Sequence, residues 1–305
     1  MNKRLLNGLL GALVLLPLLL SGCGDSASEE DGQTSKIGVL LVNHGSHSKG
    51  WRDMLVDVEH SVRDRIMSDG QIADVRTAFM EYTEPSISTQ MRAFDEAGFD
   101  EVIVVPLFLT VSSHSLDDIP TILGMKADPR VMAKLAEEKV ELYRPKARVT
   151  LTPMLDFSSL LKKNLLRRSQ ELAGETADTG VVLVAYGDAR YNQQWEALVG
   201  DIGRYLKLKA GIDTVAYAWC GHLVDYSPEP TLRAIQQVLD LEDRAAVLPV
   251  LVAVDPAFQG DIIGAAVEQS PDSSRVLYAG DAILPDPGLN DWVVEIVRKT
   301  LNGGA

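Results

Sequence analysis

At 305 residues, 46% hydrophobic and 24% charged, the chain has the composition of a globular protein with room for one large domain or two ordinary ones. A formal net charge of −14 argues against a nucleic-acid partner, since phosphate backbones are gripped by basic surfaces. Two cysteines, Cys23 and Cys220, are too few for a thiolate zinc site.

The first 22 residues are expected to lie outside the fold. Lys3 and Arg4 precede an uncharged apolar run that Pro17 interrupts, and small residues follow before Cys23. This is the charged, apolar and cleavage-site order of an export signal, and the run is short for a spanning helix. Leu20-Ser21-Gly22-Cys23 resembles the lipobox of bacterial lipoproteins, which implies lipidation at Cys23 and a protein anchored at a membrane surface outside the cytoplasm. Residues 23–35, small, polar and acidic after the cysteine, are expected to be a flexible tether. Cys220, between Trp219 and Gly221, is expected to be a buried small hydrophobe.

From Lys36 onward strand-like and helix-like segments alternate. An apolar run at 37–45 ends on a glycine. Residues 51–67 place Met54, Leu55, Val58, Val62 and Ile66 at helical spacing. A strand at 73–80, a helix at 86–98 closed by Gly98, a strand at 101–110, a helix at 131–143, a strand at 148–154 and a helix at 158–173 follow. Such alternation predicts an α/β fold with mainly parallel sheets flanked by helices.

The same order then recurs. "GVLLVNHG" at 38–45 is answered by "GVVLVAYG" at 180–187, and "VPLFLTVSSHSLDDI" at 105–119 by "LPVLVAVDPAFQGDI" at 248–262 without a gap. Trp51 answers to Trp195, Pro85 to Pro230, and the closing helix to residues 291–301. The chain is therefore expected to hold two duplicated lobes, 36–175 and 176–305, meeting near 174–179. They differ where chemistry could sit. His44 aligns with Tyr186, His114 with Ala257, and Glu81 with Gly221, so the polar set belongs to the first lobe alone.

His44, Glu81 and His114 lie at or just beyond the carboxyl ends of three predicted parallel strands, the edge along which open α/β sheets bind ligands. Two imidazoles and a carboxylate suit Fe(II), Co(II), Ni(II) or Zn(II), and can equally accept protons near neutral pH. His47 is a loop histidine that could stand at the entrance, His60 reads as a surface residue, and His222 could face the cleft from the second lobe. Asp117 and Asp118 are expected to cap a helix starting near Ile119, with Pro120 in its first turn. Neither a dinucleotide fingerprint nor a Walker A loop is present, and no G-x-S-x-G elbow surrounds Ser46 or Ser48.

"LLVNHGSHSKGW", "AFMEYTEPSI" and "VVPLFLTVSSHSLDDIP" together resemble the CbiX-type sirohydrochlorin chelatases, relatives of the anaerobic cobalt chelatases and of ferrochelatase. The resemblance covers the chain after the tether as a fused two-lobe form, with the second lobe lacking the site residues. It implies insertion of Co(II) or Fe(II) into sirohydrochlorin or a related tetrapyrrole, in cobalamin- or siroheme-type biosynthesis, with the metal as substrate and no tightly bound cofactor. It assigns His44 and His114 as the catalytic histidines and Glu81 as the active-site glutamate, the three together holding the metal. Tyr186, His222, Lys49 and Arg52 are candidates for tetrapyrrole binding, with Arg76 and Arg92 as further basic residues near the strand ends. The competing reading is an exported lipoprotein that binds metal or tetrapyrrole on the same fold without turnover.

Overall fold

The expected strands assemble into two separate sheets of identical plan. In a computed structural model describing residues 35–174 and 178–303, β1 (Ile37–Asn43), β2 (Ile72–Phe79), β3 (Glu101–Pro106) and β4 (Arg148–Leu151) form a parallel sheet of order β2-β1-β3-β4. β5 (Thr179–Ala185), β6 (Val215–Trp219), β7 (Arg244–Val250) and β8 (Val276–Tyr278) repeat it as β6-β5-β7-β8. The export-like segment 1–22, Cys23, the tether up to residue 34 and residues 175–177 at the lobe junction lie outside the described residues. Among the described residues, no helix is long and apolar enough to cross a membrane.

In the first half the strands are joined by α1 (Lys49–Met67), α2 (Ile87–Glu96), α3 (Ile119–Ile122) and α4 (Pro129–Glu137), and α5 (Leu160–Ala173) closes it. Ser48 caps α1 by accepting from Trp51 N–H at 3.3 Å, and Ser86 caps α2 from Thr89 N–H at 3.2 Å. In the second half α6 (Asn192–Ala210), α7 (Glu229–Leu239), α8 (Pro256–Phe258) and α9 (Ala265–Gln269) correspond, and α10 (Pro287–Leu301) closes the chain.

Three elements stop short of their apolar patterns, one being β4, which ends at Leu151 rather than 154. β3 ends at Pro106 rather than 110, because proline has no N–H to continue the ladder. Leu107 and Leu109 stay buried in the loop that follows. The helix expected over 131–143 stops at Glu137, where Lys139 takes φ +59°. Its N–H bonds to Ala136 O and Val140 N–H reaches back to Leu135 O at 2.8 Å, a Schellman closure.

Alternation along the strands sorts the core into three clusters. Leu40, Val42, Val102 and Val104 face outward against α2, α3 and α4; Val182, Val184, Ala245 and Val247 face α7 and α9. Val39, Leu41, Ile103 and Val105 of one sheet and Val181, Leu183, Ala246 and Leu248 of the other belong to a single cluster, joined through α1, α5, α6 and α10. The closing helices cross over. α5, at the end of the first half, packs beside α6 and on β7, whereas α10 packs on α1 and β3. Polar bonds hold the exchange: Asn164 Nδ2 donates to Asp286 Oδ2 at 2.6 Å, buried Arg168 donates to Pro249 O at 2.9 Å and to both Asp281 oxygens, and Arg65 pairs with Asp291 at 2.7 Å. The boundary near 174–179 thus divides the sheets but not the helices that cover them.

A core shared in this way makes the lobes one cooperative unit. Leu165→Ala in α5, fully buried, should cost about 2–5 kcal/mol and lower one common unfolding transition in scanning calorimetry. Two separate transitions, with only one displaced, would contradict the shared core.

Candidate metal site and cleft

Backbone hydrogen bonds that continue past the strand ends bring His44 and Glu81 together. Met80 N–H donates to Asn43 O at 2.8 Å and Glu81 N–H to His44 O at 2.9 Å, so β1 and β2 remain in register after the regular ladder stops. The chain then turns away at Gly45, where φ is +102° and a Cβ would lie 2.1 Å from the Glu81 carbonyl oxygen. No other residue fits there. His114 arrives differently, from the first position of a π-helical turn, His114–Asp118, a conformation frequent at functional sites.

The three side chains converge. One ligand atom each from His44, Glu81 and His114 lies within 4.8 Å of the others, and the imidazole centroids stand 4.7 Å apart at 80°. A divalent ion takes donors at about 2.0–2.2 Å, so the three donor atoms must draw closer than 4.8 Å to share one. His44 Nδ1 faces Gly45 O at 3.0 Å, which places the proton on Nδ1 and leaves the Nε2 lone pair available. His114 Nδ1 meets Asp118 Oδ2 at 2.8 Å, and Lys134 Nζ holds that carboxylate at 3.2 Å. Glu81 Oε1 is buried and accepts no hydrogen bond, so one oxygen of the carboxylate is left for a ligand.

Charge states follow from these surroundings. Burial, reinforced by the nearby His114 and opposed by Glu81, lowers the His44 pKa from its usual value. Burial alone would raise Asp118, but its hydrogen bond to His114, the charge there and Lys134 outweigh it and hold the carboxyl below its usual range. The Tyr82 phenol, beside Glu81, is pushed up to about 12 by burial and by that carboxylate. At neutral pH His44 is therefore a neutral imidazole, set beside the oriented His114 ring and the Glu81 side chain.

Beside it lies a cavity of about 370 Å³ between the lobes. His44 and His114 line one wall; Tyr186, His222, Tyr226 and Phe258 of the second lobe line the other. Two serine–aspartate contacts tie the rims: Ser46 Oγ donates to Asp255 Oδ2 at 2.5 Å, and Ser113 N–H and Oγ donate to Asp188 Oδ2 at 3.1 and 3.0 Å. The duplication explains their pairing, since Ser46 and Asp188 follow equivalent strands, as do Ser113 and Asp255.

The equivalent corner of the second lobe has been rebuilt. Gly221 N–H still donates to Tyr186 O at 3.0 Å, as Glu81 does to His44. The Tyr186 ring lies so close that a Cβ on Gly221 would sit 2.8 Å from it. Phenol and glycine therefore go together, and a glutamate at 221 could not enter while Tyr186 stays.

Of the remaining candidates, Tyr186 and His222 line the cavity, with His222 Nδ1 3.4 Å from the Tyr186 hydroxyl, and so does His47, its ring tilted against Tyr82 with centroids 4.6 Å apart. Lys49 and Arg52 are placed off the wall. Lys49 pairs with Asp53 at 2.6 Å on the exposed first turn of α1, and Arg52 Nη1 donates to the Ser46 carbonyl at 2.6 Å. Arg76 pairs with Asp74 and lies over the Phe94 ring, Arg92 bonds to Glu141, and His60 is exposed on α1. Asp118 makes no capping bond, because its carboxylate is turned to His114; Asp117 instead accepts from Tyr191 at 3.1 Å across the lobes. The i,i+4 spacing of His114 and Asp118 was the available signal. Cys220 is buried and its thiol is pushed up to about 12 by burial, an inert side chain.

The fold is that of a two-lobe chelatase. The cobalt complex of the sirohydrochlorin chelatase SirB from Bacillus subtilis subspecies spizizenii superposes with a TM-score of 0.62 at 19% identity, covering 87% of this chain and 95% of that one. SirB from Bacillus subtilis with Fe3+ gives 0.64 at 18% identity over the same shares. More particularly, residues 38–172 match the CbiX family, and the sirohydrochlorin cobaltochelatase of Saccharolobus solfataricus is 27% identical over 135 residues, 44% of this chain and 94% of that protein. The matched region contains His44, Glu81 and His114.

A lowered His44 pKa carries a stability signature. Below the unfolded value of 6.5 the unfolded chain takes up a proton that folded His44 refuses, so stability falls as pH drops towards the folded pKa and that loss ends below it. The apparent Tm should therefore decline as pH falls below about 7, and His44→Asn should flatten that slope. An identical slope in the variant would show that His44 is not held neutral.

Proposed function

We propose that the protein inserts a divalent metal, Co(II) or Fe(II), into sirohydrochlorin or a related tetrapyrrole, as a chelatase of cobalamin- or siroheme-type biosynthesis. The observation that carries this reading is the convergence of His44, Glu81 and His114 within 4.8 Å at the edge of an aromatic cavity. Both similarity to sirohydrochlorin cobaltochelatases and the likeness to the SirB fold support it. Ni(II) and Zn(II) suit the same donors.

Insertion requires the metal to be held loosely and two pyrrole protons to leave. Three donors on one side of an open cavity leave coordination positions for macrocycle nitrogens. His44, kept neutral, and Glu81, with an oxygen free of hydrogen bonds, can accept the protons. Asp118 fixes the His114 ring and directs its Nε2 lone pair inward, with Lys134 keeping the carboxylate charged. Tyr186 offers a ring face against which a macrocycle can lie.

Metal insertion followed by the visible spectrum of sirohydrochlorin with Co(II) tests this directly. His44→Ala and His114→Ala should each reduce the rate by about 10²-fold or more, and Asp118→Asn by about 10–100-fold through the loosened His114. Glu81→Gln should slow insertion and shift its pH dependence, while Tyr186→Ala should weaken tetrapyrrole affinity more than rate. Equal loss of binding and rate in all of them would favour a carrier without turnover. Unchanged rates in all would place the chemistry elsewhere.

The same proposal extends to location. The Leu20–Cys23 pattern supports export and lipid attachment at Cys23. Cys23→Ser should lose lipid labelling and move the protein from the membrane fraction to the soluble one; wild-type membrane recovery of the variant would overturn the anchor.

A further inference from the structure

We infer that His47 and His222, one from each lobe at the mouth of the cavity, hold peripheral carboxylates of the macrocycle by imidazole N–H donation. This rests on the chelatase reading above and adds how the same site recognises an acid-bearing substrate. Sirohydrochlorin carries carboxylates around its edge, yet among the described residues no lysine or arginine lines the cavity. Nearby cations are committed elsewhere: Arg52 serves the Ser46 carbonyl, Arg190 pairs with Asp117 at 2.8 Å, and Lys134 with Asp118 at 3.2 Å. The basic side chains on the wall are histidines, and His44 and His114 belong to the donor cluster. His47 and His222 remain, and both are exposed.

Each stands one aromatic ring outward from the floor of the site. The His47 ring lies 4.6 Å from Tyr82, whose ring lies 5.8 Å from His44, and the His222 ring lies 5.5 Å from Tyr186. A flat ligand whose centre meets His44 and His114 carries its peripheral acids outward by about that breadth. Among the described residues, none hydrogen-bonds to the His47 ring nitrogens, so both are open to a ligand. On the second lobe the Tyr226 hydroxyl is 3.3 Å from that of Tyr186, which in turn is 3.4 Å from His222 Nδ1. Burial keeps the Tyr186 phenol protonated, and its donation to Nδ1 puts the imidazole proton on Nε2, free to meet an acceptor.

The backbone supports the same placement. Tyr82 and Tyr226 both sit at the mouth with left-handed φ, +68° and +56°, a strained conformation that persists where a site requires it. Thr83 N–H to Glu81 O at 2.9 Å and Tyr226 N–H to Gly221 O at 3.2 Å pin the two turns. Deeper in the cavity Asp188 and Asp255 already accept from Ser113 and Ser46 and would repel further carboxylates. Acids held at the exposed mouth avoid them and keep part of their hydration, while an N–H bond to an ionised oxygen is a strong one.

The test is a fluorescence titration of the full chain with metal-free sirohydrochlorin. His47→Leu and His222→Leu, which keep bulk without a donor, should each weaken binding by about tenfold. His47→Gln and His222→Gln, which restore an N–H, should recover most of that loss. Tyr186→Phe keeps the ring and loses the hydroxyl, so it should weaken binding in the unmodified chain and add nothing to His222→Leu. His60→Leu, on the exposed side of α1, should change nothing, and thermal melting reports the fold of every variant. Dicarboxylate deuteroporphyrin should lose less than sirohydrochlorin in the leucine variants. Equal binding by the leucine and glutamine variants, or equal losses for both probes, would reduce the two histidines to packing and overturn the inference; Co(II) insertion by the unmodified chain would still leave the chelatase reading standing. Failure of the unmodified chain to bind sirohydrochlorin would overturn both.

Discussion

The 2.9 Å hydrogen bond from Glu81 N–H to the His44 carbonyl is the constraint on which the site depends. It carries the β1–β2 pairing past the point where side chains are sealed in the core, to the first residues that can meet a ligand. Because Gly45 must leave at positive φ directly over the Glu81 carbonyl, the two side chains cannot drift apart without breaking the turn. The imidazole and the carboxylate are thus held by backbone, which is stiffer than any side-chain network. His114 is held through side chains instead, by Asp118 and Lys134.

The second lobe keeps the same backbone bond, Gly221 N–H to Tyr186 O, with different side chains. The two halves share scaffold geometry, while one carries donors where the other carries a ring. Tyr186, raised far above its usual pKa by burial, stays an uncharged phenol. An asymmetric cleft results, with donors on one wall and aromatic faces on the other.

The strand-end positions and the difference between the halves made His44, Glu81 and His114 legible in the sequence, and the colinear repeat made the two-sheet plan legible. The exchange of α5 and α10 was not, because periodicity reveals that a helix has an apolar face and says nothing of which sheet that face meets. Lys49 and Arg52 illustrate the same gap for charge. Both follow a strand end in sequence, but helix geometry gives Lys49 to Asp53 one turn on, and the Ser46 carbonyl takes Arg52. Asp118 was hidden for a different reason. An acid before a proline-containing turn suggests a cap, whereas its i,i+4 spacing from His114 lets the carboxylate turn to that ring instead.

Burial does opposite work on the two sides of the cleft. On the first lobe it keeps His44 uncharged at neutral pH, so that its lone pair is available without prior loss of a proton, and it leaves Glu81 Oε1 without a competing donor. Both effects make the donors reactive rather than satisfied, at a cost in stability that the shared core must absorb. On the second lobe burial makes the wall apolar and removes counter-charge. The crossed helices reconcile these demands: α5 and α10 anchor each half to the other, so the separation of the donors from the aromatic wall is set by packing in the core beneath the cleft. The rim is joined by one hydrogen bond from Ser46 to Asp255 and two from Ser113 to Asp188, few beside the packed core beneath.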